Sequence, residues 1–128
     1  MASPLVYIDN SDVAEGSLPA LKSAIAELAT FVQDNEPDML AYCIYFSDDG
    51  KRMTVVHVHR DAASLDFHME VAGPKFARFG DLLTLRSITV YGTPSPKALA
   101  ALEEKARSLG GATLRVEPAH AGFARFSE

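Results

Sequence analysis

The alternation of apolar and polar residues divides the chain into a succession of predicted strands and helices. A short apolar run over residues 5–8 predicts a first strand, which the turn-prone residues 9–12 should end. Apolar residues then recur every three or four positions, which predicts an amphipathic helix between Ser17, its N-cap, and Pro37. Its apolar stripe consists of Leu18, Leu21, Ile25, Leu28 and Val32.

A hairpin and a second helix are predicted next. Residues 39–46 and 51–59 are rich in aromatic and aliphatic side chains, and the turn-forming residues 47–50 join them, so the two strands should be antiparallel. Asp61 predicts the N-cap of a second helix, which Gly73 and Pro74 should interrupt. A further helical turn and a fourth strand over residues 85–91 should follow.

The chain continues past this fourth strand. A linker over residues 93–96 leads to a third amphipathic helix, which Gly110 and Gly111 should end, and residues 112–117 predict one more strand. The stripe of this helix consists of Leu99, Leu102, Ala106 and Leu109. We therefore expect a single domain over residues 1–128, with a core at about 4–92 and a C-terminal extension at about 94–128.

The element order predicts an α+β fold of the ferredoxin-like βαββαβ type, extended by a C-terminal helix and strand. Its four-stranded antiparallel sheet should carry helices on one face only. The strand over residues 39–46 is apolar on both sides, since residues 40, 42, 44 and 46 alternate with 41, 43 and 45. A second copy of the chain is the simplest cover for the other face, so we expect a homodimer.

Composition limits the cellular compartment and the classes of partner that we expect. The single cysteine, Cys43, excludes an intrachain disulfide, and neither a bilayer-spanning apolar run nor a signal peptide is recognisable. We therefore expect a cytoplasmic protein with no membrane partner. The net charge is −5, and the 12 basic residues are scattered among 17 acidic ones, so we expect no nucleic-acid partner.

Several short motifs occur in the order found in one known family. Residues 36–42 (EPDMLAY), then a tight turn, then His59-Arg60-Asp61, Ala63 and His68 resemble the antibiotic biosynthesis monooxygenase-like (ABM) domain of the dimeric α/β-barrel superfamily. Residues 74, 76 and 79 also fit, and the resemblance covers roughly residues 4–92. Asp38 and Met39 depart from the usual Gly and Cys, and His57 and His59 stand where Glu and Trp are usual.

The resemblance implies a small-molecule enzyme, with cofactor-independent oxygenation of a small apolar or aromatic substrate as one activity. Such chemistry needs no cofactor, because the protein removes a proton and the resulting anion reacts with oxygen. The resemblance disfavours the haem-degrading branch of the family. Where that branch has a Trp and, about three turns later, a His, this chain has His68 and, at approximately the second position, Arg78, and it contains no Trp. Because many members have no established activity, a non-enzymatic ligand-binding or dimeric accessory domain remains the alternative.

The candidate site rests on three histidines. His57 and His59 lie two apart on a strand and so share a face, and His68 lies on the apolar face of the following helix. If all face each other, they suit proton transfer, with His68 as the catalytic residue. The alternatives are exposed or purely structural histidines, or a His-based metal site, which no Asp or Glu obviously completes. Further candidate substrate-binding residues are Tyr7, Asn10 and Phe76, each with an ordinary structural alternative.

Overall fold

A computed structural model describes residues 3–126 and has the predicted element order. The elements are β1 Leu5–Val13, α1 Leu18–Asn35, β2 Met39–Phe46, β3 Arg52–His59, α2 Ala62–Val71, a 3-10 helix Gly73–Phe79, β4 Leu83–Tyr91, α3 Pro96–Ser108 and β5 Thr113–Glu117. The βαββαβ prediction is therefore confirmed, together with the C-terminal helix and strand. No described helix is long and apolar enough to cross a bilayer.

The strands form one sheet in the order β2-β3-β1-β4-β5. Each neighbouring pair among the first four strands is antiparallel, whereas β5 pairs with β4 in parallel. The predicted four-stranded antiparallel sheet is thus wrong in this detail, because α3 crosses back along the sheet and brings the last strand into the β4 direction. The result is a five-stranded mixed sheet with β1 near its centre.

The first strand is longer than the sequence predicts. Residues 9–12 form no turn but continue β1 to Val13, paired with β3 on one side and with β4 on the other. A bulge between Asn10 and Ser11 is the only trace of their turn preference within β1. Two-sided pairing outweighs local propensity here, and it carries Asp9 and Ser11 into the interior.

The helix boundaries follow from local chemistry. The Asp61 side chain accepts a hydrogen bond of 3.0 Å from the Ser64 amide, as expected of an N-cap. Ser17 is the N-cap residue of α1, as predicted, but its side chain makes no capping hydrogen bond. After Ala72, the Gly73–Pro74 pair converts the α-helix into the short 3-10 helix.

The helices cover one face of the sheet, and the extension is part of that cover. Leu102 is fully buried, and the Leu85 amide donates a hydrogen bond of 2.7 Å to the Leu109 carbonyl, so α3 packs on the core as predicted. The opposite, open face of the sheet stays partly accessible. Its central side chains are half-buried and mostly aliphatic: Val6, Ile8, Cys43, Val56 and Val58.

Candidate functional site

The three histidines converge between the sheet and α2. The ring centroids of His57 and His59 lie 5.4 Å and 5.5 Å from that of His68. All three are at most 1% exposed. The predicted convergence is confirmed, and the alternative of solvent-exposed histidines is wrong because β3 turns this side towards the helices.

A buried carboxylate orients His68. Helix α1 ends at Asn35, and the following Glu36 turns its side chain inwards, so that both carboxylate oxygens lie 2.9 Å from His68 Nδ1. Nδ1 therefore carries a hydrogen and donates it to Glu36, while Nε2 is buried with no hydrogen-bond partner among the described residues. The statement that no Asp or Glu joins the histidines is thus wrong. Glu36 stands 32 residues away but lies inside the very motif that suggested the family.

His57 is held in its neutral form against β1. Its Nδ1 donates a hydrogen bond of 3.0 Å to the Tyr7 carbonyl, and its ring stacks on that of Tyr7 at 3.6 Å between centroids. Burial, and then the charge of Lys105, lower the pKa of His57 well below its usual 6.5. The neutral ring with Nδ1 protonated leaves Nε2 as an acceptor.

His59 is also neutral near pH 7. Its Nδ1 lies 2.8 Å from the Ser64 hydroxyl, on the first turn of α2. Burial, and then the charge of His68, lower the pKa of His59 to about 3. Its Nε2 is a second buried nitrogen with no partner among the described residues. Such atoms cost stability unless a ligand or water satisfies them.

Aromatic rings enclose the histidines. Tyr7 and Phe76, both predicted site residues, have ring centroids 6.2 Å and 5.9 Å from that of His68. The Tyr7 hydroxyl is buried with no partner in the described structure, and burial, together with the charge of Asp9, raises the Tyr7 pKa well above 10. Tyr42 lies beside His57 and His68, and burial likewise raises its pKa above its usual value. Both phenols therefore remain protonated donors.

The structure does not bring Asn10 to this cluster. Asn10 is exposed on the open face of the sheet, where its amide oxygen accepts a hydrogen bond of 2.8 Å from the Thr54 hydroxyl. Asn10 is predicted to lie in a turn, whereas it is the residue of β1 next to Asp9 and therefore points the other way.

Sequence reasoning missed an ion pair beside the histidines. Lys105 Nζ donates a hydrogen bond of 2.8 Å to Asp9 Oδ2, and each side chain is only 7% exposed. Two signals mark the pair in retrospect. Lys105 occupies the apolar stripe of α3 three residues after Leu102, and Asp9 continues the buried alternation that begins with Leu5 and Tyr7.

The ion pair borders a small cavity of about 30 Å³. Its polar walls are Asp9, Ser11, Tyr42 and Lys105. The apolar lining comprises Ile25, Leu28, Met53, Val55, Phe76, Phe79, Leu83, Leu85 and Leu109. His68 does not line the cavity, but Tyr42 and Phe76 both line it and pack against His68. The cavity and the histidine cluster therefore adjoin across these two rings.

The metal-site alternative gains no support from this geometry. Within residues 3–126, no three His, Cys, Asp or Glu side chains are arranged to hold a metal ion. Each imidazole instead uses Nδ1 in a hydrogen bond within the protein. The partners are the Tyr7 carbonyl, the Ser64 hydroxyl and the Glu36 carboxylate.

Comparison with solved structures confirms the fold. MupZ from Pseudomonas fluorescens matches over 95% of this chain and 94% of its own, with a TM-score of 0.72 and 18% identity. Rv0793 from Mycobacterium tuberculosis matches over 73% of this chain and 97% of its own, with a TM-score of 0.62 and 24% identity. SnoaB, a cofactor-independent oxygenase from Streptomyces nogalater, matches over 73% of this chain and 96% of its own, with a TM-score of 0.61 and 15% identity. No family model and no curated protein sequence matches the chain.

These neighbours have ABM-like folds, so the predicted resemblance is confirmed for the fold. A match over 95% of the chain must include most of α3, so the MupZ likeness extends into the C-terminal extension. At these identities the likeness concerns architecture alone, and function has to be argued from the site.

Proposed function

We propose that this protein is an enzyme that removes a proton from a small, largely apolar molecule, with His68 as the base. The observation that carries the proposal is the buried His68–Glu36 pair, in which Nδ1 is fixed by a carboxylate and Nε2 has no partner among the described residues. A base of this kind needs one nitrogen held and the other turned to the substrate.

The surroundings of the pair suit the same step. When Nε2 takes up a proton, the Glu36 carboxylate stabilises the resulting imidazolium without moving. If the Ser64 hydroxyl donates to His59 Nδ1, the neutral His59 carries its hydrogen on Nε2, and this N–H and the protonated Tyr7 hydroxyl can both donate to a substrate oxygen that gains negative charge. Glu36 also lines a surface cleft of about 440 Å³, although its carboxylate is turned inwards to His68.

The finer proposal is a cofactor-independent monooxygenase. SnoaB, which shares the fold, is a cofactor-independent oxygenase, and such chemistry requires a base close to an apolar binding space, which His68 adjoins across the rings of Tyr42 and Phe76. Removal of a proton from a CH₂ group gives an electron-rich anion that reduces O₂. The CH₂ becomes C=O, one oxygen atom enters the product, and the other leaves as water with the two hydrogens.

One observation favours the second candidate, a non-enzymatic ligand-binding or accessory domain. His68 is separated from the cavity by the rings of Tyr42 and Phe76, so a ligand in the cavity reaches Nε2 only if one of these rings moves. In that reading the polar cluster positions the elements and the cavity alone binds the ligand.

The proposed assembly is a homodimer through the open face. Val6, Ile8, Val56 and Val58 form a continuous aliphatic surface across β1 and β3, and the exposed Tyr45 adds apolar area at its border. Two-fold pairing of this face would remove it from water, and it would leave the histidine side of each sheet with its own helices.

Hydrogen–deuterium exchange at a carbon acid tests the base without requiring oxygen. The probe is 1,8-dihydroxyanthrone in D₂O under argon, with loss of its CH₂ proton signal followed by NMR. His68→Ala would leave the Glu36 carboxylate buried and unpaired, so His68→Asn is the better variant because its amide can still donate to Glu36.

We expect His68→Asn to slow exchange by about a hundredfold or more, the usual contribution of a positioned base. Glu36→Gln should slow it less, and His120→Asn, an exposed control, should leave it unchanged. Undiminished exchange by His68→Asn would eliminate His68 as the base. Binding of the probe without any catalysed exchange would favour the ligand-binding domain.

A further inference from the structure

The second polar feature of the interior is the Asp9–Lys105 pair, which links the central strand to the C-terminal extension. Taking two ions out of water carries a desolvation cost that their attraction often only offsets, and apolar replacements of such pairs are frequently as stable. The near-complete burial of both side chains is therefore poorly explained by stability alone. A role in binding a ligand in the cavity that it borders would explain why the pair is buried there.

The pair is not saturated by the residues around it. Asp9 Oδ1 is buried and has no hydrogen-bond partner within residues 3–126. Lys105 Nζ has three hydrogens, and its hydrogen bond there is to Asp9 Oδ2. Nζ also lies over the rings of Phe76 and Tyr7, at 4.2 Å and 5.3 Å from their centroids. An acceptor atom and a donor group with hydrogens to spare thus remain in the two residues that border the cavity.

We propose that Asp9 and Lys105 form a binding site for the hydroxyl group of a neutral, otherwise apolar small molecule such as a phenol or alcohol. A hydroxyl group donates one hydrogen and accepts others, so its hydrogen satisfies Asp9 Oδ1 while its oxygen accepts from Lys105. A carbonyl or an ether only accepts and leaves Oδ1 unpaired. The site therefore discriminates between molecules of the same shape.

Charge and size restrict the ligand further. The opposite charges of Asp9 and Lys105 cancel, so a carboxylate or an ammonium group would enter a mostly apolar cavity without a counter-charge. The cavity of about 30 Å³ accommodates the hydroxyl end of a molecule and not a large body. Because Lys105 belongs to α3, the C-terminal extension supplies half of this site.

The inference extends the proposed function by naming the ligand class, and binding alone tests it. The probes are phenol, its methyl ether anisole, and benzoate, each titrated to 10 mM against the full-length protein by ligand-observed NMR. We expect phenol to bind at least about tenfold more tightly than anisole, because the ether leaves a buried acceptor unpaired. Benzoate should bind no more tightly than anisole.

Variants then assign the preference to the pair. Removing one partner leaves a buried charge and endangers folding, so the double variant Asp9→Leu/Lys105→Met replaces both with apolar side chains. Phenol should lose its advantage over anisole in this variant. The matched control is Glu70→Leu/Lys97→Met, which removes an exposed pair between α2 and the same helix α3 and should keep the advantage.

The outcomes separate the two proposals. His68→Asn should keep the preference for phenol even though it stops carbon-acid exchange, so failure of the base leaves the hydroxyl site standing. Equal binding of phenol and anisole, absence of binding at 10 mM, or a preference that survives in the double variant of the buried pair would each overturn the hydroxyl site.

Discussion

The two buried histidines of β3 should make the protein less stable in mild acid. The pKa of His57 lies well below its usual value because of burial, and the pKa of His59 is lowered to about 3 for the same reason. In the unfolded chain both titrate near about 6.5. Below that pH the unfolded chain takes up protons that the folded chain does not, so stability falls, and for His59 it levels off only below about pH 3.

The size of the effect follows from these values. A histidine that stays neutral in the fold costs about 1.4 kcal/mol per pH unit once the pH is well below 6.5. Between pH 7 and pH 5 this amounts to about 2 kcal/mol for each imidazole, or about 4 kcal/mol for the two. Asp49, whose pKa is lowered, responds mainly below this window because an unfolded Asp titrates near about 3.9.

The assay is urea unfolding at pH 7, 6 and 5 at one protein concentration. Circular dichroism should monitor it, since the chain has no tryptophan. We expect His59→Asn to reduce the mean pH slope between pH 7 and pH 5 by about half, from about 2 to about 1 kcal/mol per unit, whatever it does to the stability at pH 7. His120→Asn, at an exposed position, should leave the slope unchanged. A stability that is flat from pH 7 to pH 5 would refute the assignment of neutral buried imidazoles.

Three further perturbations test the architecture. Val56→Asp, at the centre of the open face, should convert the proposed dimer into a monomer by light scattering, and a persistent dimer would place the interface elsewhere. Deletion of residues 94–128 exposes the core beneath α3 and should abolish cooperative unfolding in urea, whereas an unchanged transition would show that the extension is dispensable. Gly110→Ala, where φ is +133° and a Cβ would lie 2.6 Å from Thr84 Cγ2, should cost more stability than Gly111→Ala, where φ is +74° and the space is open. We expect a difference of at least about 1 kcal/mol in urea, and equal losses would argue against the clash with Thr84.

The sequence predicts the element order because long helices and hairpins carry strong local signals. The stripe from Leu21 to Val32 faces the sheet as its spacing requires, and the turn before Lys51 joins the predicted strands. The length of β1 could not be predicted in the same way. Its second half consists of turn-forming residues, and only pairing with strands that lie distant in the sequence makes it extended.

The site was predictable only as far as its aromatic and imidazole members. His57, His59 and His68 follow from strand and helix periodicity, which fixes the face on which each lies. Glu36 was missed because its position depends on how α1 ends and where α2 packs, which no local pattern records. Lys105 was missed because it reaches Asp9 across 96 residues of chain, and a lysine between apolar neighbours is ordinarily assigned to the helix surface.

The size of the cavity has a consequence for the rate at which any ligand binds. Pockets that enclose small molecules usually measure about 300–1,000 Å³, whereas this cavity offers about 30 Å³. Its floor lies on the hydrogen-bonded central strands, so room for a ligand has to come from the helices above it: α1, α3 and the 3-10 helix Gly73–Phe79, which supplies its two phenyl rings. Movement of this helical layer would then precede entry, and the observed association rate should reach a plateau as ligand concentration rises.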